Sequence, residues 1–126
     1  MPILRSFCIL LACITFSAPA AEPPDTMKAV RLNAFGPAEN LKLETINTPA
    51  PGKGEILVRV HAAAINPVDW KIRSGKYPML KLPATLGFDI SGVVEALGDD
   101  AEKFKVGDEV YAYIPLARGG GYAQYA

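Results

Sequence analysis

Residues 49–65 read Pro-Ala-Pro-Gly-Lys-Gly and then Glu-Ile-Leu-Val-Arg-Val-His-Ala-Ala-Ala-Ile. The opening cluster breaks regular structure, because proline fixes φ and glycine carries no Cβ to restrict it. The run from Glu55 to Ile65 is β-branched at its start and alternates, with Ile56, Val58 and Val60 on one face and Leu57, Arg59 and His61 on the other. A breaker cluster feeding an alternating run reads as a turn followed by a strand. The middle of the chain is therefore expected to be β structure.

The same reading extends in both directions. Downstream, Asn66-Pro67 suits an N-cap followed by the first residue of a short helix over 67–74, with Val68 and Ile72 one turn apart and Gly75 as the stop. Tyr77 to Pro83 is a loop bounded by prolines. Ile90–Leu97 and Glu109–Ile114 read as strands, separated by a tight turn at Phe104–Asp108, and Tyr122–Ala126 reads as the start of a last strand. Upstream, Lys28–Leu32 and Leu41–Ile46 alternate and form a hairpin across Asn33–Asn40, preceded by a polar, Pro-rich linker up to Thr26. The sum is mainly β: six or so short strands with one or two short helices, a small barrel or sandwich. Eleven Gly and eleven Pro in 126 residues agree with so many turns.

Composition excludes several functions. Thirteen basic residues balance thirteen acidic ones, so no positive excess exists to neutralise a nucleic-acid backbone. Gly119-Gly120-Gly121 is neither a dinucleotide fingerprint nor a phosphate loop, since nothing helical follows it.

Residues 1–20 read as a secretory leader: Arg5, then the apolar run Ser6–Phe16, then Ala18-Pro19-Ala20 as a cleavage site. The apolar run is shorter than the ~17 residues that a membrane-spanning helix needs, so no membrane span is expected. Residues 21–26 are then linker and 27–126 the folded domain. Used, the leader sends the domain to the periplasm or outside the cell. Two alternatives stay open: Leu10-Leu11-Ala12-Cys13 as a lipoprotein acylation site, and a true start at Met27 that leaves the protein in the cytoplasm. Both cysteines, Cys8 and Cys13, precede residue 14, so the domain itself has no thiol with which to bind metal.

Several segments are specific enough to show a resemblance. They are Pro51–Val60, Ala64–Asp69 (AINPVD), Arg73–Pro78 (RSGKYP), Leu82–Val94 (LPATLGFDISGVV), Val106–Tyr111 (VGDEVY) and Gly121–Tyr125 (GYAQY). In this order they resemble the N-terminal GroES-like domain of the medium-chain dehydrogenase/reductase superfamily, within it the zinc-free quinone oxidoreductase and enone reductase branch. The resemblance implies a partly open β-barrel over 27–126. Zinc-dependent members place a Cys where Asn66 stands and a His where Phe88 stands, so the resemblance implies no zinc. His61, the single His, reads as a structural residue on its strand.

The resemblance further implies NADPH as cofactor, a small quinone or enone as substrate, and a homodimer for full-length members. It places Asn66 beside the nicotinamide and Tyr77 as proton donor; by their residue types alone, the two are equally a helix cap and a loop aromatic. Asp69 is expected to organise the loop by a hydrogen bond. Trp70 is expected either to line the substrate pocket or to pack in the core, and Phe88 to form an apolar pocket wall. Family members continue into a dinucleotide-binding Rossmann domain, which the resemblance places beyond Ala126. The expectation is a domain inactive alone, a fragment or half of a split enzyme needing its Rossmann partner in cis or in trans. The alternative is a secreted, non-catalytic binding module.

Overall fold

The computed structural model describes residues 22–126. The leader assigned to residues 1–20, including the acylation site at Cys13, lies outside the described residues. Six strands and one α-helix follow one another as β1 (Thr26–Leu32), β2 (Leu41–Asn47), β3 (Ile56–Ala63), α1 (Pro67–Arg73), β4 (Ala84–Thr85), β5 (Asp89–Leu97) and β6 (Glu109–Tyr113). A 3-10 turn at Ala38–Asn40 sits in the first hairpin. The strands form two three-stranded sheets, ordered β2-β1-β4 and β3-β5-β6, neither of them closed. Every pairing is antiparallel. The mainly β, partly open architecture expected from the sequence is the one found.

Local chemistry accounts for the elements. β5 alternates strictly from Ile90 to Val94, burying Ile90, Gly92 and Val94. Gly92 is needed for contact, not for conformation: a Cβ there would run into the Arg59 carbonyl of neighbouring β3. β1 buries Met27, Ala29 and Leu32. It begins before Met27, because Thr26 pairs with Asn47, and the Thr48 N–H donates to the Asp25 carbonyl at 2.9 Å. The end of the expected linker is thus sheet.

Three further details differ from the sequence expectation. First, β3 does not keep a single alternation. Leu57 and Val58 are adjacent and both buried, because the β3–β5 register shifts between them. Such a bulge turns consecutive side chains to the same side. Second, β4 follows the Pro-bounded loop and pairs Thr85 with Arg31 and Ala84 with Leu32. Third, Tyr122–Ala126 is not a regular strand. Its backbone bonds are divided: Val30 N–H donates to the Tyr122 carbonyl and Gln124 N–H to the Lys28 carbonyl, whereas Val58 and Ala126 exchange both bonds. The segment stitches β1 of one sheet to β3 of the other.

The core lies under the helix. Leu32, Ile72, Leu80, Ala84, Leu86 and Phe88 form one buried cluster, with Leu41, Val68, Leu82, Leu116 and Tyr122 packed around it. It joins β1, α1 and the Met79–Phe88 segment, and so fixes α1 against the start of β5.

Candidate functional site

The site is built where α1 begins. Asn66, at the N-cap, has extended backbone, and Pro67 follows with no N–H to leave unsatisfied. Asp69 is 3% exposed and accepts two backbone hydrogen bonds: one from the Asn66 N–H at 2.8 Å, one from the Gly87 N–H at 3.0 Å. The first holds the helix start and the second ties it to the turn before β5. Gly87 has φ +90, and a Cβ there would sit 2.7 Å from the Tyr122 backbone nitrogen. Only glycine allows the turn to offer its N–H to Asp69.

The Asn66 side-chain amide donates to the Asp89 carboxylate. A primary amide has two N–H groups, so the second stays available to a ligand. Asn66 and Asp89 are both half-buried. Tyr122 approaches the same cluster from the C-terminal segment, its hydroxyl 3.5 Å from the Ala64 carbonyl. Burial first, then the negative charge and hydrogen bond of Asp69, hold the Tyr122 phenol well above the ordinary tyrosine range.

That shift has a consequence for stability. The folded state keeps the Tyr122 proton where the unfolded chain releases it, so folding stability falls as pH rises above about 10. The Tyr122→Phe variant lacks this linkage. Urea unfolding at pH 8 and pH 10.5 is expected to show a smaller loss between the two for the variant than for the wild type; equal losses would refute the linkage.

Tyr77 lies further along. It is 51% exposed and lines a surface depression of about 390 Å³ with Pro67, Val68, Lys71, Met79 and Leu116. Trp70 is 45% exposed, outside the core cluster, with the Lys71 and Lys76 amines 5.8 and 5.3 Å from its ring centroid. Phe88 is fully buried within the core, so its ring supports the floor from within and presents no surface as a pocket wall. The structure thus brings Asn66, Asp69 and Asp89 into one hydrogen-bonded cluster, sets Tyr77 at the adjoining depression, and leaves Phe88 behind both.

Sequence reasoning passed over three residues. Asp89 stood in the Gly87-Phe88-Asp89 stretch, read only for its lack of a metal ligand. Tyr122 belongs to the strand-like, family-resembling segment Gly121–Tyr125, which carries no site signal of its own. Lys71 was not singled out, although it sits one turn after Pro67 on the helix. A larger groove of about 860 Å³ runs between the sheets, lined among others by Met27, Ile56, Thr85 and Ile90. Asn66, Asp69, Trp70, Tyr77 and Phe88 are not among its lining residues, so size does not make it the chemical site. Among the described residues no three His, Cys, Asp or Glu side chains gather as a metal site.

Comparison with known proteins follows the same lines. The model of the alcohol dehydrogenase GroES-like domain matches residues 52–126, and the chain belongs to that family. Quinone oxidoreductase of Homo sapiens is 47% identical over 102 residues, covering 79% of this chain. The solved quinone oxidoreductase of Coxiella burnetii superposes with a TM-score of 0.77 at 38% identity, over 80% of this chain and 34% of its own. A cobalt- and zinc-bound thermostable alcohol dehydrogenase of Pyrobaculum aerophilum gives 0.74 at 31% identity, over 80% of this chain and 38% of its own. Within the medium-chain dehydrogenase/reductase superfamily, the similarity supports the quinone oxidoreductase branch. The chain spans 30% of the length of the human relative.

Proposed function

We propose that this chain is the substrate-facing half of a zinc-independent reductase that uses NAD(P)H to reduce quinones or activated C=C bonds such as enones. It works with a dinucleotide-binding domain supplied in cis or in trans and is inactive without one. The observation that carries this reading is an exposed phenol, Tyr77, on a depression lined by Val68, Met79 and Leu116 beside a helix whose N-cap amide keeps one N–H uncommitted.

The donor set supports zinc independence. A phenyl ring at position 88 binds no metal, the Asn66 amide is a weak zinc ligand, and no thiol follows Cys13. A reduced nicotinamide, when bound, supplies the hydride. The residues of this chain do the rest. Val68, Met79 and Leu116 give a flat, unsaturated substrate an apolar bed. The free Asn66 N–H holds the cofactor carboxamide or a substrate carbonyl. Tyr77 donates a proton, or a hydrogen bond to a developing enolate.

The reading is tested by a chimera of residues 22–126 with the dinucleotide-binding remainder of human quinone oxidoreductase. Quinone-dependent NADPH oxidation that survives a zinc chelator is expected, with none from this chain alone. A folded, NADPH-binding chimera without turnover, or one silenced by chelation, would overturn it. A second reading, a secreted binding module without catalysis, draws on the leader-like residues 1–20. That module would bind no acceptor at the Tyr77 depression.

A further inference from the structure

We propose that the depression beside α1 selects acceptors that carry an anionic group, and that Lys71 is the specificity-determining residue. This rests on the functional reading above and names its substrate class more narrowly: a quinone or enone bearing a carboxylate or similar anion.

Charge and geometry carry the inference. Lys71 lines the depression together with Tyr77 and the apolar side chains of Val68, Met79 and Leu116. Its amine stands 5.8 Å from the Trp70 ring centroid and 5.9 Å from that of Tyr77. Two aromatic faces position a cation without neutralising it. The ion pairs among the described residues are Lys53–Asp100, Arg59–Glu95 and Arg118–Glu55, so Lys71 and Lys76 take part in none.

Two carboxylates near the start of the helix are hydrogen-bonded within their own cluster. Asp69, the acid on the helix, is buried and accepts from Asn66 and Gly87. Asp89 accepts from Asn66. The Lys71 amine therefore stands at the depression outside any ion pair, beside the apolar side chains of Val68, Met79 and Leu116. A charge-assisted contact there adds to the apolar contact made by the body of the ligand. The unsaturated body of a ligand would lie on the apolar side chains and its anionic arm would reach the Lys71 Nζ.

Phosphates of a dinucleotide share this anion chemistry, so the test separates the two sources. Trp70 is the single Trp of the chain, and its indole N–H gives one NMR resonance beside the depression. The intact chain is titrated with benzylideneacetone, a neutral enone, and with its 4-carboxy derivative. The anionic ligand is expected to bind about tenfold more tightly. In Lys71→Met the preference is expected to drop below about twofold with affinity for the neutral enone kept. Equal affinities in the wild type, or an undiminished preference in Lys71→Met, sink the anion inference and leave the functional reading standing. If neither enone shifts Trp70, the anion inference falls, and turnover by the chimera decides the functional reading separately. If NADP+ displaces the anionic enone and itself needs Lys71, the amine serves the cofactor and the substrate assignment is overturned.

Discussion

Asp69→Ala is expected to lower the unfolding free energy by about 3–4 kcal/mol, the largest stability effect of any single substitution at the site. Two backbone N–H groups, those of Asn66 and Gly87, lose their acceptor at once. A hydrogen bond to a charged acceptor is worth roughly 1.5–3 kcal/mol, and a buried donor left unpaired costs about 1–3 kcal/mol. Gly87 is buried, so water cannot replace the carboxylate there. Asn66 is half-buried and recovers part of its loss from solvent. Asp69→Asn keeps the volume but offers one acceptor oxygen and turns an NH2 group toward a second donor, so about 2–3 kcal/mol is expected. Urea unfolding followed by Trp70 fluorescence measures both. The phenol of Tyr122 supplies a second readout, since the charge of Asp69 helps hold its pKa up. That pKa should fall in Asp69→Ala. A loss below about 1 kcal/mol would mean that the carboxylate does not hold the loop together.

This dependence shows which parts of the molecule are legible from its sequence. Elements with several alternating residues were: β1, β2, β5 and β6 fall within two residues of their expected bounds, and α1 ends one residue early, at Arg73. Their own periodicity specifies them. β4 was not legible, because Ala84-Thr85 is too short to have a period. It is a strand only because Arg31 and Leu32 of β1 lie beside it. The buried pair Leu57 and Val58 was misassigned for a related reason. The bulge belongs to the β3–β5 pairing, not to the β3 sequence. The C-terminal segment has strand-like composition, yet its hydrogen bonds go to two different sheets, which no local pattern encodes.

The site divides along the same line. Asn66, Asp69 and Tyr77 sit in motifs with a chemical reading of their own. Asp89 and Tyr122 acquire a role only through partners 23 and 58 positions away, Asn66 and Ala64. Phe88 illustrates the opposite failure. A resemblance in sequence aligned it with a metal ligand, which suggested a pocket wall, whereas packing with Leu32, Ile72 and Leu86 draws it into the core. An aromatic ring among aliphatic side chains, with no polar atom to keep at the surface, gains most by full burial.

Tyr77→Phe is expected to have the largest effect on turnover, about a 100-fold fall in kcat for an enone in the chimera with a dinucleotide-binding half. Two conditions make this a clean experiment. The side chain is half exposed and its hydroxyl makes no hydrogen bond among the described residues, so the loss of one oxygen is expected to change stability by less than about 0.5 kcal/mol. The ring stays, so the apolar contact with the substrate and the neighbouring Lys71 amine are kept. KM should therefore move by no more than about threefold, the sign of an interaction made in the transition state and not in ground-state binding. The acceptor gives an internal control. Reduction of an enone places negative charge on one carbonyl oxygen and requires a proton at carbon, which water delivers poorly. A quinone spreads the charge over two oxygens that exchange protons with solvent freely. The fall should accordingly be steep for the enone and shallow, within about tenfold, for the quinone. A variant that reduces the enone within twofold of wild type would remove Tyr77 from the chemistry, whatever its position on the depression.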